Sequence, residues 1–234
     1  MKSSLLLLFT FLLVKHSFTQ DTSFIIEAGK KVNDVIPAKM QYQYREFLNG
    51  KVFFRDGNVF EGKLNYSRLM DEMQYTTEGG DTLALDNEPT VKFVCIDKDT
   101  FCFDHGFVML IKGNDAIKLA IKHGFRLVDM KKAAGYDMMS STSSVSSVSS
   151  LNDGTISHQL TVKGQMKLSE VAQYYFGNKY GHFVSATKNN CLELFHNSAS
   201  QLKRFISSNS IDFAKTSDLV RVVSFLNGSY QSSN

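Results

Sequence analysis

The sequence predicts an α+β fold, in which an N-terminal antiparallel β-meander is followed by two more strands and three short C-terminal helices. Three observations support this class. From Lys51 onward, pairs of alternating apolar and polar runs are separated by turn residues. After about residue 186, apolar positions instead recur at the spacing of a helix. The regular alternation of strands and helices that is typical of α/β proteins does not occur.

The first residues have the composition of a secretory signal peptide. A short basic segment with Lys2 precedes the ten-residue apolar run Leu5–Val14, and polar residues follow from Lys15. Ten apolar residues are too few to cross a bilayer, which requires about 20. We therefore expect residues 1–19 to be a signal peptide that is cleaved before Gln20, with an uncleaved anchor as the alternative. The mature protein would be exported to the periplasm or secreted.

Composition and charge argue against several classes of partner. Once the leader's Lys2 and Lys15 are set aside, basic and acidic residues nearly balance and form no basic patch, so we expect no nucleic-acid partner. No second long apolar run occurs, so we expect no transmembrane segment after cleavage. Three cysteines are too few for a disulfide framework, and none has the C-x-x-C spacing of a zinc site. The apolar fraction of 43% suffices for a core.

Residues 20–135 are predicted to be rich in antiparallel strands, with little structure before residue 50 beyond one strand or short helix. Four hairpins are expected there, because Gly or Asp in a turn accepts the backbone conformations that tight turns require. Their turns fall at Asp56-Gly57, Gly79-Gly80, Lys98-Asp99 and Gly113-Asn114. The segment from Ser67 to Met73 interrupts the pattern and is expected to be a helical turn or a wide loop.

A two-residue turn at Lys98-Asp99 sets the expected register of the third hairpin. Cys95 then lies directly opposite Cys102 on one face of the hairpin. In an oxidising compartment this pair can form a disulfide, and two unlinked thiols packed as small apolar groups are the alternative. A one-residue slip would remove the pairing. The opposite face is apolar and carries Val94, Ile96, Phe101 and Phe103.

The C-terminal third begins after a Ser-rich segment at residues 136–153, which is predicted to be a mobile loop. Between Thr142 and Ser149 only Val145 and Val148 are apolar, too few to offset the entropy of ordering the chain. Residues 154–234 are predicted to contain two strands, in TISHQLTVKG and QMKLSEVAQYYF, and then the helices. We expect this region to pack on the β-rich region, because such short helices are marginal alone.

The three helices are predicted within TKNNCLELFHN, SASQLKRFISSN and KTSDLVRVVSFLNG. In the last of them, Ser217 is expected as the N-cap and Gly228 as the end. One apolar stripe with spacing i, i+3, i+4, i+7 is formed by Leu219, Val222, Val223 and Leu226.

No common catalytic motif is present, since G-x-S-x-G, H-E-x-x-H, P-loop and G-x-G-x-x-G sequences are missing. We therefore assign no catalytic, cofactor-binding or metal-ligating residue and expect no cofactor. The densest aromatic stretch runs from Gln173 to Phe183. A ligand groove there would be lined by Tyr174, Tyr175, Tyr180 and His182. The structural alternative places alternate rings of this stretch in the core.

A pattern of short motifs covers most of the mature chain. The sequence G-x-V-x-F-x-x-G, followed by L-N-Y and E-M, is matched by Gly50, Val52, Phe54, Gly57, Leu64-Asn65-Tyr66 and Glu72-Met73. Further motifs lie at Asp99–Phe101 and Ile211–Phe213. By these motifs the chain resembles a group of uncharacterised secreted or periplasmic proteins of Bacteroidetes-type bacteria. The resemblance implies an envelope location and no activity that can be carried over.

Two classes of function follow. The first is an exported non-catalytic protein that binds an envelope component or a protein partner, because no catalytic cluster is visible. The second is a secreted hydrolase with dispersed catalytic residues. A pocket that gathers His182, His158 and a carboxylate would favour the hydrolase.

Overall fold

A computed structural model describes residues 22–133, 139–141 and 164–231. These residues form a 12-stranded antiparallel sheet and five α-helices, most of them C-terminal. The predicted α+β class is thus confirmed, with the sheet as the larger part. Within the described ranges, no helix has both the length and the apolar character that a membrane crossing requires. The predicted signal peptide, most of the Ser-rich segment and the first of the two late strands lie outside the described residues.

The elements occur in the following order along the chain. The strands are β1 Ser23–Ile26, β2 Leu48–Phe54, β3 Val59–Ser67, β4 Glu72–Thr76, β5 Thr82–Ala84, β6 Val91–Ile96, β7 Asp99–Phe103, β8 Phe107–Gly113, β9 Ile117–Ala133, β10 Met139–Ser141, β11 Gly164–Asn178 and β12 Phe183–Ser185. The helices are α1 Val32–Val35, α2 Ala38–Gln41, α3 Lys188–Leu194, α4 Ala199–Ser208 and α5 Thr216–Gln231.

The strands follow the spatial order β1-β11-β9-β8-β7-β6-β2-β3-β4-β5, with β10 beside β9 and β12 beside β11. The four predicted hairpins are confirmed. They are organised as two meanders, β2–β5 and β6–β9, which join where β2 pairs with β6. The segment that interrupts the pattern is a turn over residues 68–71 between β3 and β4. The second late strand is confirmed as β11, and β10 occupies three residues of the predicted Ser-rich loop.

The third hairpin has a different register from the predicted one. Its turn is Asp97-Lys98, so that Cys95 pairs with Thr100 and Cys102 pairs with Phe93. The predicted direct pairing of Cys95 with Cys102 is therefore wrong, and both are free thiols in the structure, as is Cys191.

Two interactions favour this register, one within the turn and one with a residue distant in sequence. Asp97 adopts the left-handed conformation, with φ of 53°, which Asp tolerates better than most residues and which suits a tight turn. Asp99 is held in β7 by the Tyr44 hydroxyl, which donates to its carboxylate over 2.7 Å. When the turn moves by one residue, each residue of β6 pairs with a residue of β7 two positions away from the predicted partner. Because side chains alternate along a strand, a shift of two leaves each side chain on its predicted face. The predicted apolar face is accordingly buried in one core cluster or packed against it, with Val94, Ile96, Phe101 and Phe103.

The C-terminal helices cover the end of the sheet formed by β9 and β11. The predicted stripe of α5 is confirmed, because all four of its residues are buried against a cluster that includes Leu119 and Phe176. The predicted helix ends are wrong. The N–H groups of Asp218 and Leu219 already bond to the carbonyl of Lys215, so α5 begins before Ser217. It continues past Gly228, since a glycine within a helix costs only about 1 kcal/mol.

The N-terminal segment contributes more structure than the sequence predicts. β1 pairs with β11, from Ser23 opposite Ser169 to Ile26 opposite Met166. The one-turn helices α1 and α2 follow, and Val32 and Ile36 join a core cluster with residues of β9 and β11. This cluster also contains Leu69, and it therefore fixes the β3–β4 turn against the long strands.

Candidate functional site

A cavity of about 270 Å³ lies where the long strands β9 and β11 extend beyond the β7–β8 hairpin. β8 first pairs with β9 at Met109 and Ile121, which leaves the following part of β9 uncovered by β8. Part of the cavity floor comes from one face of the β9–β11 pair, because directly paired residues share a face. Gly124 pairs with Val171 and Lys122 with Gln173 on this face, and His123 and Phe125, which alternate with them on β9, also line the cavity.

The wall of the cavity is the β3–β4 turn, together with Tyr66 at the end of β3. The turn is anchored by the carbonyl of Gln41, which accepts the N–H groups of Arg68 at 2.8 Å and Leu69 at 3.3 Å. Leu69 is buried, and this fixes the orientation of its polar neighbours. Asp71 closes the turn with a φ of 58°, a left-handed conformation that turns its carboxylate toward the cavity groups described next.

Asp71 is the centre of a closed network. One carboxylate oxygen accepts from the Tyr66 hydroxyl at 2.6 Å, and the other accepts from Lys122 Nζ at 2.5 Å. The Asp71 and Lys122 side chains are only 13% and 20% exposed. Burial raises the pKa of Tyr66 well above its ordinary value, and the Asp71 charge adds to this, so the phenol remains a donor.

Gly106 allows Lys122 to reach this network. A Cβ atom on Gly106 would lie 2.6 Å from Lys122 Nζ and 3.2 Å from the Asp71 carboxylate. Its φ of 122° is also unfavourable for any other residue. The end of the β7–β8 hairpin therefore packs closely over the ion pair.

A second ion pair lies beside the first. Arg68 donates through one Nη to Glu170 of β11, and these side chains are 13% and 29% exposed. The Arg68 Nε is buried and has no acceptor among the described residues. Burial lowers the pKa of neighbouring His123, the Arg68 charge lowers it further and Glu170 opposes this, so the imidazole is neutral at pH 7.

Glu88 begins a 3-10 turn over Glu88–Thr90 and interacts electrostatically with Asp71 and Lys122. Burial raises the pKa of its carboxyl to about 7, and the negative charges of Asp71 and Glu72 contribute to the rise. The Met73 N–H, at 3.4 Å from the carboxylate, and the Lys122 charge act in the opposite direction. Glu88 is thus partly protonated near neutral pH.

Glu88→Gln is expected to remove a pH dependence of stability. The pKa of Glu88 is about 7 in the folded state, above its ordinary value of 4.5. Between these pH values the folded protein binds more protons than the unfolded chain. The free energy of unfolding therefore falls as the pH rises through this window. We expect the variant to be more stable than the wild type by about 1–2 kcal/mol at pH 8, after allowance for solvent screening, and similar at pH 4.5. Urea unfolding at both pH values measures this.

The matched control is Glu78→Gln in the exposed turn between β4 and β5. It is expected to keep the wild-type pH dependence. An unchanged pH dependence in Glu88→Gln would contradict the assignment.

The groove predicted from Tyr174, Tyr175, Tyr180 and His182 does not form as one site. Tyr174 and Tyr175 are consecutive on β11 and project to opposite faces. Tyr175 lines the cavity, whereas the Tyr174 hydroxyl bonds to Thr216 at the start of α5, at 2.5 Å. Tyr180 is 79% exposed and lies beneath Lys179. His182 pairs with Asp104, with 3.2 Å between Nδ1 and Oδ2.

The charged residues of the cavity are not found by sequence reasoning. The sequence places Arg68 and Asp71 in a segment without periodicity, and it places Lys122 and Glu170 among the ordinary polar residues of strands. His158, which belongs to the catalytic pocket of the hydrolase hypothesis, lies outside the described residues. In the described part of the chain, no group of three or more His, Cys, Asp or Glu residues could hold a metal ion.

The chain was compared with protein-family models, curated proteins and solved structures, and none of these comparisons finds a match.

Proposed function

We propose that this chain is an exported, non-catalytic protein that binds an envelope component or a protein partner at the cavity between the β3–β4 turn and β9–β11. Support for export comes from the apolar N-terminus and from the resemblance to secreted proteins of Bacteroidetes-type bacteria. Support for binding without catalysis comes from one observation: the acidic and basic groups of the cavity are engaged with one another.

The pairing of these acidic and basic groups limits the chemistry that the cavity can perform. A general base must reach the proton that it removes, and a nucleophile needs a base beside it. Both Asp71 oxygens accept hydrogen bonds, and Lys122 donates to one of them. Burial keeps the phenols of Tyr66 and Tyr175 protonated by raising the pKa of each. His123 is the remaining neutral base. The arrangement suits recognition of a ligand better than proton transfer.

The hydrolase alternative has weaker support. The His182–Asp104 pair has the geometry in which a carboxylate orients an imidazole. Asp104 is further fixed by the Phe183 N–H at 2.7 Å. However, His182 is 57% exposed and lies outside the cavity lining. Among the described residues its ring is hydrogen-bonded to Asp104 and to no hydroxyl or thiol.

Photo-crosslinking from the cavity tests the binding function. A photoreactive amino acid at Gln173, which is exposed and lines the cavity, is expected to give a discrete adduct in intact cells of the source organism. The matched control is the same amino acid at Val59 on β3, which is 48% exposed and does not line the cavity. Mass spectrometry then identifies the adduct.

Val171→Phe is the second arm of this test. The added ring fills the floor of the cavity and is expected to reduce the Gln173 adduct at least tenfold, because a filled cavity excludes the ligand. Val59→Phe makes the same substitution at an exposed position outside the cavity lining and is expected to leave the adduct unchanged. Equal adducts from both crosslinker positions, or an adduct that survives Val171→Phe, would contradict binding at the cavity.

A further inference from the structure

We propose that the turn between β11 and β12, together with the pocket beside it, forms a docking surface for a protein partner. A segment of the partner inserts one apolar side chain into the pocket and places a carboxylate on Lys179. This surface is separate from the cavity between the β3–β4 turn and β9–β11, because the two share no lining residue.

The β11–β12 turn is held in one conformation by Asn178. Its side-chain oxygen accepts the N–H groups of Tyr180 at 2.9 Å and His182 at 3.2 Å. Its backbone carbonyl accepts the N–H of Gly181 at 3.2 Å, and the φ of 79° at Gly181 is one that glycine adopts without strain. The turn therefore presents Tyr180 in a fixed position, and a preorganised group loses little entropy when a partner binds it.

Tyr180 is 79% exposed, more than any other large apolar side chain among the described residues. Tyrosine is one of the residue types enriched among those that dominate the binding energy of protein interfaces. Lys179 Nζ lies 5.0 Å from the centroid of this ring, so an aromatic surface and a positive charge are presented together.

A pocket of about 270 Å³ lies beside Tyr180. Its apolar lining comes from the start of β9, the end of α3 and the middle of α5, through Ile117, Leu194, Phe195 and Leu226. This volume is below the roughly 300–1,000 Å³ of sites for drug-sized ligands, and it suits a single side chain. A small molecule enclosed in the pocket would leave the exposed ring uncovered, whereas a partner segment covers both the pocket and the ring.

The charged groups around this pocket are basic. Lys179 and His196 line it, whereas Asp115 and Glu193, the acidic residues nearest to the lining in sequence, do not. Lys179 is exposed and forms no ion pair with any described residue, in contrast to the paired cations of the cavity. Lys118 adds positive charge nearby, since its Nζ donates to a carbonyl of the same turn at 3.4 Å. A carboxylate therefore complements this rim, and a cation is repelled by it.

Selection from a phage-displayed library of random dodecapeptides on the purified chain tests the inference. We expect the enriched peptides to carry an apolar residue within two positions of Asp or Glu, because the pocket and Lys179 are adjacent. A synthetic peptide with the most enriched sequence is then titrated against the chain by calorimetry. Replacing its acidic residue by the corresponding amide is expected to weaken binding about tenfold, because a charge-assisted contact is lost.

Tyr180→Ala and Lys179→Glu are each expected to weaken binding of this peptide at least tenfold. Both side chains are exposed, so we expect both variants to keep the wild-type Tm. Leu83→Ala is the matched control for the first, since Leu83 is a 46% exposed apolar residue of β5. Lys92→Glu is the control for the second, because Lys92 also lies over an aromatic ring, that of Phe93 at 6.0 Å. Both controls are expected to bind the peptide as the wild type does.

Three results would overturn the inference: no enriched peptide, enriched peptides without an acidic residue, or binding that survives either Tyr180→Ala or Lys179→Glu. Val171→Phe distinguishes this surface from the cavity, because it fills the cavity floor and leaves the β11–β12 turn unchanged. The peptide is expected to bind this variant with wild-type affinity, and a loss of binding would place the peptide in the cavity and contradict docking at the turn. The Gln173 adduct tests the cavity by itself, so failure of the docking surface leaves the proposed function standing.

Discussion

Asp71→Asn is expected to lower the free energy of unfolding by about 3 kcal/mol at neutral pH. Asparagine tolerates the left-handed backbone and keeps the shape of the side chain, so the change removes mainly the charge. Lys122, which is 20% exposed, is then left without its counter-ion, and breaking a buried pair in this way costs about 3–5 kcal/mol before allowance for partial exposure. Denaturant unfolding followed by circular dichroism measures the loss.

The chain offers a matched control in the exposed pair of Lys51 and Glu61. Its contact of 2.6 Å is almost as short as the 2.5 Å contact in the cavity, but its side chains are 51% and 64% exposed. Glu61→Gln is expected to cost less than about 1 kcal/mol, because water already solvates both charges. The double variant Asp71→Asn, Lys122→Met should recover part of the loss. Equal costs in Asp71→Asn and Glu61→Gln would show that the cavity pair is solvated.

Phe176→Ala is expected to cost about 3–5 kcal/mol of stability, the range for truncating a fully buried aromatic residue. Phe176 has no exposed surface and lies on β11, where it joins the sheet to the helical region. Its ring makes edge contacts with Phe195 at 6.4 Å and Phe213 at 6.3 Å between centroids. Removing the ring leaves a cavity beneath the helices. Thermal and denaturant unfolding measure the total loss.

Limited proteolysis shows where this loss falls. Cleavage between α4 and α5 is expected to become faster in Phe176→Ala, because the helices lose part of the surface on which they dock. Phe93→Ala is the control, since Phe93 is a half-buried residue that stacks on Phe53 at 4.5 Å, and its loss is expected to cost about 1–2 kcal/mol. Unchanged proteolysis of the helices in Phe176→Ala would contradict docking through this residue.

The sequence predicts what is local in this fold. Hairpin turns and the apolar stripe of α5 depend on neighbouring residues, and both are present. The third hairpin shows the limit of local reasoning. Its register depends on the contact of Asp99 with Tyr44, which lies 55 residues earlier in the chain. The faces of this hairpin survive the error because strand periodicity alone determines them.

The residues of the candidate site could not be predicted from local sequence patterns. Asp71 and Lys122 are 51 residues apart, and Arg68 and Glu170 are 102 residues apart. No spacing rule joins such residues, because the folding of the whole sheet brings them together. The aromatic density from Gln173 to Phe183 does mark a region beside the site, but only Tyr175 and Gln173 of that stretch line the cavity. Tyr174 does not line the cavity, because consecutive side chains on a strand project to opposite faces.

The pairing of β1 has a consequence for when the chain can fold. Ser23 at the start of β1 pairs with Ser169 in β11, so its hydrogen-bonding partner is synthesised almost 150 residues later. Such distant pairing slows folding, because the entropy cost of closing a long loop comes before the stabilising contact forms. β1 therefore has no strand to pair with until β11 has been made, whereas the hairpins from β2 to β9 need only strands that lie next to them in sequence. The first strand of the chain is accordingly among the last that can join the sheet.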